Sequence, residues 1–565
     1  MQTSFLAAAL LLSAATIKAQ SPVDNIRLNQ AGFYPAAPKM AVVTASEDDR
    51  FIIRKADGKT VVFSGTLGAV QRSPYSGKES RMADFSALRD TGRFVLEVTG
   101  AGRSHVFSIR PAVHDALAKA ALKGFYYQRT LIPLNAAYAG RWSRAAGHPD
   151  TAVLVHPSAA GPGRVAGAVI SSPGGWYDAG DYNKYIVNCG ITMATLLSLY
   201  EDYPAYCRTM GTNIPESGNT LPDLLDEILF NLRWMLTMQD PADGGVYHKL
   251  TNPAFDGMIM PHEAVKTRYV VQKSTAAALD FAAVMAQAAR VLKAFPRELP
   301  GLPDSCLKAA ETAWQWAQQN PVVYYDQQAI NNRFDPDIST GAYGDRNVRD
   351  EFMWAASELF VTTQKNIYQP DLQLPMQLPS WSQVSMLGYY SLLRAGHPLQ
   401  AQLEKWVETM AAGVETQPYH TVMGGTARDF VWGSSAVAAN QGIALLYAYR
   451  FTGKKIYLRH ALGNLDYLLG RNATGYSFVT GIGGKTPMHL HHRPSIADGV
   501  AAPVPGLLAG GPNPGRQDGC KYPSTAADEA YVDDDCSYAS NEIAINWNAP
   551  LVYLAAAIEA LQEEL

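Results

Sequence analysis

A small all-β sandwich followed by a large all-α barrel or toroid is the fold that the sequence predicts. Three observations carry this. Residues 25–110 run as short apolar or alternating strands separated by Gly and Asp turns. From Pro111 onward the apolar spacing becomes helical and stays so to the end. The chain's 565 residues are too many for one ordinary core.

The strand-like runs are Ala41-Val42-Val43, Phe51-Ile52-Ile53, Val61-Val62-Phe63, Arg93 to Val98 and His105 to Ile109. Asp57-Gly58, Ser76-Gly77, Asp90-Thr91-Gly92 and Thr99-Gly100 supply the turns. Helical spacing starts at Val113, Leu117, Ala120, Ala121 and Phe125. It recurs over Ile191–Tyr200, Leu221–Gln239, Lys273–Phe295, Ser305–Asn320, Asp350–Thr363, Trp381–Ala395, Gln400–Ala412, Val437–Thr452, Lys455–Leu469 and Ile543–Gln562. So many helices without intervening strands argue for a helical barrel or toroid. Two long loops, from Arg144 to Tyr185 and from Thr474 to Asn541, interrupt the pattern, and long loops in a compact domain are usually functional. No Ser/Thr/Pro-rich linker separates the parts, so the sandwich should pack directly on the helical domain. The expected division is a leader over 1–20, the sandwich over 21–110 and the helical domain over 111–565.

A net charge of −4 gives no electrostatic handle for nucleic acid. The run Phe5 to Leu12 is too short to span a bilayer and reads as the core of an export signal, although no Lys or Arg precedes it. Cleavage is expected after Ala19 or Gln20, which makes the protein periplasmic or secreted. No later stretch reads as a membrane span. The five cysteines leave at least one thiol unpaired within the chain; Cys520 and Cys536 are either a disulfide or two free thiols. No CxxC spacing supports a zinc ribbon.

Two segments carry candidate chemistry. Gly174-Gly175-Trp176-Tyr177-Asp178-Ala179-Gly180-Asp181-Tyr182 sets two carboxylates on one tight turn among aromatic rings, and Glu542 stands in Tyr538-Ala539-Ser540-Asn541-Glu542-Ile543-Ala544. Two carboxylates on one turn can aim a single water, and a third acid elsewhere can protonate a leaving oxygen, which is what hydrolysis of a sugar polymer needs. The plainer alternatives are an Asx-rich turn or calcium loop for the pair, and a helix-capping role for Glu542.

Both segments resemble the active-site motifs of glycoside hydrolase family nine, a cellulase family with an inverting mechanism. The resemblance covers nearly the whole mature chain. Asn29-Gln30-Ala31-Gly32-Phe33-Tyr34-Pro35 is similar to the start of the immunoglobulin-like domain that precedes the catalytic barrel in one branch. Leu221 to Glu227, Asp243 to Lys249, Asp350 to Ala356, Trp432-Gly433-Ser434, and Phe478 to Gly481 followed by His491-His492-Arg493 match the same branch in order. The resemblance implies an (α/α)6 barrel of six helical hairpins. It makes Asp181 the general base, Asp178 a second holder of the water and Glu542 the general acid. It places His248, His491 and Arg493 on sugar hydroxyls and Trp432 and Trp547 against glucose rings.

The implied activity is endo-acting cleavage of β-1,4-glucosidic bonds in cellulose-like glucans. The alternatives are an exo-acting β-glucosidase or cello-oligosaccharide hydrolase, and, more remotely, a non-catalytic carbohydrate-binding protein. The partner is a β-glucan polysaccharide or oligosaccharide, and the protein is expected to be a monomer. The chemistry requires no cofactor. The resemblance implies a structural calcium near Thr340, Asp345 and Asp350. A structural zinc is doubtful, because His148 and His156 are present while Thr130 and Gly147 stand where the branch carries two thiolates.

Overall fold

The computed structural model describes residues 24–565, so the leader predicted over 1–20 lies outside the described residues. Nine strands form the N-terminal sandwich: β1 (Ile26–Leu28), β2 (Met40–Val43), β3 (Arg50–Lys55), β4 (Val61–Thr66), β5 (Gln71–Arg72), β6 (Glu79–Asp84), β7 (Gly92–Val98), β8 (Gly102–Arg103) and β9 (Phe107–Ile109). One sheet runs β1-β2-β6-β5, the other β4-β3-β7-β8, with β9 also on β7. Alternation explains the burial: Phe51 and Ile53 point inward while Ile52 between them does not. They meet Phe33, Phe85, Leu96 and Phe107 in one core.

The helical domain contains eleven helices of ten residues or more: α1 (Asp115–Tyr127), α2 (Ile186–Asp202), α3 (Asp223–Thr237), α4 (Thr275–Leu292), α5 (Leu302–Gln319), α6 (Arg349–Thr363), α7 (Ser385–Arg394), α8 (Gln400–Met410), α9 (Ser434–Thr452), α10 (Lys455–Leu468) and α11 (Ile545–Ala560). Helix α11 packs on α2, α2 on α4, α4 on α6, α6 on α7, and α9 on α11. Tyr390 of α7 stacks on Tyr447 of α9 with centroids 3.9 Å apart, which closes the circuit. At the end of α2, Asp202 Oδ2 accepts from Tyr447 of α9 (2.6 Å), Tyr553 of α11 (2.8 Å) and Arg394 of α7 (3.3 Å), tying four of these helices together. Helices α1, α3, α5 and α10 lie against this inner set.

Sequence accounts for the two helix types. The inner helix α4 (TAAALDFAAVMAQAARVL) buries almost every residue. The outer helix α5 buries only Cys306, Ala310, Ala313, Trp314, Trp316 and Ala317, a single stripe. Among the described residues α4 is the one helix long and apolar enough to cross a membrane, and it is buried within the protein.

Three expectations are corrected. Five short strands form a small sheet beside the helices, in the order β11 (Val169–Ile170), β10 (Val153–Val155), β14 (Tyr269–Val270), β13 (Lys249–Thr251), β12 (Lys184–Tyr185). Strands of two or three residues are too short to show a period, so the sequence hides them. Helix α2 starts at Ile186, ahead of the expected Ile191. The last helix starts at Ile545, and Glu542 before it is extended (φ −74°, ψ 162°), which removes the capping role. Cys520 and Cys536 are bonded, and Cys189, Cys207 and Cys306 are free and buried.

The sandwich docks through a hydrogen-bonded relay. Asn29 Nδ2 lies 3.1 Å from His114 Nε2, and His114 Nδ1 lies 3.0 Å from the Tyr34 hydroxyl. The Asn29 amide nitrogen can only donate, so His114 carries its proton on Nδ1. Tyr34 in turn donates to Glu559 Oε2 of α11 (2.7 Å). Asn29 also donates to Asp466 of α10 (2.7 Å).

Candidate active site

The Asp178–Asp181 turn and the Glu542 segment meet although 362 residues separate Gly180 from Glu542. Ala179 pairs with Ala544, Glu542 with His491, and Ile543 with Ala509, so the acid sits on a short extended stretch between two partners. The Ile545 N–H donates to the Asp178 carbonyl (2.8 Å), and the Gly180 N–H to Glu542 Oε1 (3.3 Å). A Cβ on Gly180 would lie 2.1 Å from the His491 carbonyl oxygen, so only glycine allows this approach.

The two aspartates are held differently. Asp178 accepts from Asn188 Nδ2 at Oδ1 (2.6 Å) and from the Tyr343 hydroxyl at Oδ2 (2.7 Å). Asp181 receives Asn183 Nδ2 (2.6 Å) and the Tyr185 hydroxyl (3.1 Å), both at Oδ2. Its Oδ1 takes no donor among the described residues and belongs to a carboxyl that lines the cleft. Burial, and then the charge of Asp181, push the Asp178 carboxyl up to about 8 against the pull of Asn188 and Tyr343. Burial pushes Glu542 well above the ordinary carboxylate range. Asp181 and Asp178 add to this, and Arg493 and the Gly180 N–H oppose it.

The three carboxyls open into a cleft of about 830 Å³ lined by Tyr185, Phe255, Tyr343, Trp381, Trp432, Tyr538 and Trp547. His491 and Arg493 line it as well. Arg493 is held by the carbonyls of Gly180 (2.8 Å) and Asp256 (3.0 Å). His491 Nδ1 lies 2.7 Å from the Asp535 carbonyl, which can only accept, and burial holds the ring's pKa down. The neutral ring therefore presents Nε2 as an acceptor for a hydroxyl.

His248 is the exception among the predicted contacts. It is fully buried behind the cleft, with Nδ1 on Ser274 Oγ (2.8 Å), Nε2 on the Ala342 carbonyl (2.8 Å) and its ring stacked on Tyr325. It steadies the loop that carries Tyr343 and does not touch the cleft. Sequence reasoning missed Tyr343, Asn188, Tyr185 and Tyr538. Tyr343 had a signal, a Tyr between glycines in Gly341-Ala342-Tyr343-Gly344, and it takes a left-handed φ of 47° there.

Comparison with known proteins places this geometry. The model for glycosyl hydrolase family 9 matches residues 114–555, and that for the cellulase N-terminal ig-like domain matches 21–103. The chain belongs to glycosyl hydrolase family 9. It is a glycoside hydrolase, with an N-terminal immunoglobulin-like domain. It is 49% identical over 556 residues to a xyloglucan-specific endo-beta-1,4-glucanase of Bacteroides ovatus, covering 96% of this chain and 94% of that one. It is 32% identical to Endoglucanase D of Acetivibrio thermocellus, covering 96% and 85%. The solved structure described as Bacteroides ovatus GH9 superposes with a TM-score of 0.90 at 47% identity, covering 96% of this chain and all of that one.

The family resemblance also raised metals. Of the residues expected to hold calcium, Thr340 does not fit: its hydroxyl meets the Lys249 ammonium (3.0 Å) and Thr251 (2.6 Å). Asp345 Oδ2 and Asp350 Oδ1 are buried without a partner, and so are both carboxyl oxygens of Asp280 and of Glu351. Among the described residues no three such side chains are already gathered as a coordination shell. Burial and mutual repulsion push Asp280 and Glu351 well up, the signature of carboxyls that lack a countercharge. These hard oxygens suit calcium. Zinc does not fit. His156 is occupied at both nitrogens, by Ser158 (2.8 Å) and the Pro336 carbonyl (3.0 Å), and His148 Nδ1 is taken by Tyr177 (2.8 Å).

Replacing Tyr343 with Phe removes a donor to the ionised form of Asp178, so that carboxyl protonates at still higher pH. In a family 9 hydrolase the acid limb of the kcat/KM–pH profile should move upward, with activity lost at low pH first. An unmoved limb would detach Tyr343 from the titrating pair.

Proposed function

We propose that this chain cleaves β-1,4-glucosidic bonds within a glucan main chain, with inversion at the anomeric carbon, and that xyloglucan is its preferred glucan. One observation supports the division of labour best: Asp178 has both oxygens occupied, while Oδ1 of Asp181, a carboxyl that lines the cleft, takes no donor among the described residues. Asp181 is then the base that takes a proton from the attacking water, and Asp178 helps fix that water. Glu542, kept protonated by its dry surroundings, donates to the leaving oxygen. His491 and Arg493 bind hydroxyls beside the scissile bond. Trp432 and Trp547 stack on the apolar faces of glucose units. The xyloglucan preference comes from the 49% identical relative.

The same reading makes the helical circuit an (α/α)6 barrel with a domain boundary near Arg110, since β9 ends at Ile109 and α1 begins at Asp115. It includes export, supported by the apolar leader and by a disulfide suited to an oxidising compartment. It includes a monomer, whose site needs no carboxyl from a second copy. Asp280, Asp345, Asp350 and Glu351 would supply the hard oxygens for a structural calcium.

Asp181→Ala and Glu542→Gln should each lower kcat by about 10²–10⁴-fold with folding intact. Proton NMR should show the α anomer first. Near-normal rates in either variant, or a β anomer, would remove the mechanism. Hydrolysis of xyloglucan should outpace that of unbranched β-1,4-glucans and release long oligosaccharides early; release of single glucose units would favour exo action. Chelation with EGTA should lower the thermal midpoint, and calcium should restore it in wild type but not in Glu351→Gln. A midpoint indifferent to both would discard the calcium.

A further inference from the structure

The immunoglobulin-like domain reaches a wall of the cleft. The turn between β5 and β6 carries Tyr75, whose hydroxyl donates to the Gly424 carbonyl (2.7 Å). Its ring stands edge-on to Phe430, centroids 5.1 Å apart. Ser73 on the same turn donates to Asp528 Oδ2 (2.6 Å), and Lys78 pairs with Glu529 (2.6 Å). Gly424 and Phe430 belong to the segment Val422–Gly433, which carries Trp432 near its end. That segment is pinned at one end by Asn464, whose Oδ1 accepts the N–H groups of Val422 (2.9 Å) and Met423 (3.1 Å). A capping box of Thr426 and Asp429 braces its middle. Phe430 is buried, whereas Trp432, two residues on, is 44% exposed in the cleft and leans on Tyr538 (5.5 Å), which in turn meets His491 edge-on (5.9 Å). No hydrogen bond from the Trp432 side chain fixes that ring among the described residues, so its placement depends on the segment beneath it.

We propose that Tyr75 is a positioning residue for glucan binding: by clamping Gly424 and Phe430 it holds Trp432 where a sugar ring stacks. The immunoglobulin-like domain is on this account part of the substrate-binding apparatus. The inference rests on the reading of Trp432 as a sugar contact.

The test is a double-mutant cycle on the full chain with xyloglucan and an unbranched β-1,4-glucan as substrates. Loss of one aromatic contact is worth about fivefold in binding. Tyr75→Ala should therefore raise KM by about that factor with kcat within about twofold, and Tyr75→Phe, which keeps the ring, should fall between it and wild type. Tyr75→Ala combined with Trp432→Ala should lose no more than Trp432→Ala alone. Arg54→Ala, which breaks an ion pair with Glu97 inside the sandwich, should leave KM unchanged. If Tyr75→Ala is too unstable to assay, Tyr75→Phe carries the cycle. Multiplicative losses, a fall in kcat without a rise in KM, or an equal effect of Arg54→Ala would overturn the proposal. An unaltered KM in Trp432→Ala would instead sink the reading of Trp432.

Discussion

Three carboxyl groups that repel one another stand buried at one cleft, and much of the structure serves to hold them there. Charges brought together out of water interact far more strongly than in solvent. Burial and repulsion push Asp178 and Glu542 toward the protonated form, and hydrogen-bond donors pull against that. Asp178 receives Asn188 and Tyr343, and Asp181 receives Asn183 and Tyr185. Glu542 receives little beyond the Gly180 N–H, so burial and the two aspartates push its carboxyl well up with little opposition. Neighbours thus make the three carboxyls differ, since the side chains are nearly the same chemically.

Those neighbours come from distant parts of the chain. Asn188 opens α2, Tyr343 sits on the loop before α6, and His491 flanks Glu542 from the long loop before α11. His248 holds the Tyr343 loop from behind through the Ala342 carbonyl. The inner helices supply rigidity, tied at their far end by Asp202. The loops above them supply the chemistry, a division that lets loops vary on a fixed frame.

The second acidic group, Asp280, Asp345, Asp350 and Glu351, poses the same electrostatic problem with a different answer. Here the oxygens lack donors, and a hard cation is what their chemistry suits. The sandwich also does more than decorate the helical domain. Asn29, Gln30 and Tyr34 bury polar groups against α10, α11 and the loop at Gly484, and Tyr75 reaches the segment that bears Trp432.

The class of each domain was legible from local pattern. Phe51-Ile52-Ile53 alternates as a strand must, and the stripe through Ala310, Ala313 and Ala317 repeats as a helix must, because both signals depend only on near neighbours. Asp178, Asp181 and Glu542 stood out because their motifs are compact enough to match a family pattern. The short strands β10 to β14 were not, since two or three residues carry no period. Nor was the burial of His248, nor the place of Thr340 beside an ammonium, because both depend on residues about ninety positions away. The sequence by itself determined which carboxyls, rings and helices are available. Only the tertiary structure decided which donors each carboxyl receives and which aromatic rings face the cleft, since desolvation and contact arise only when distant segments meet.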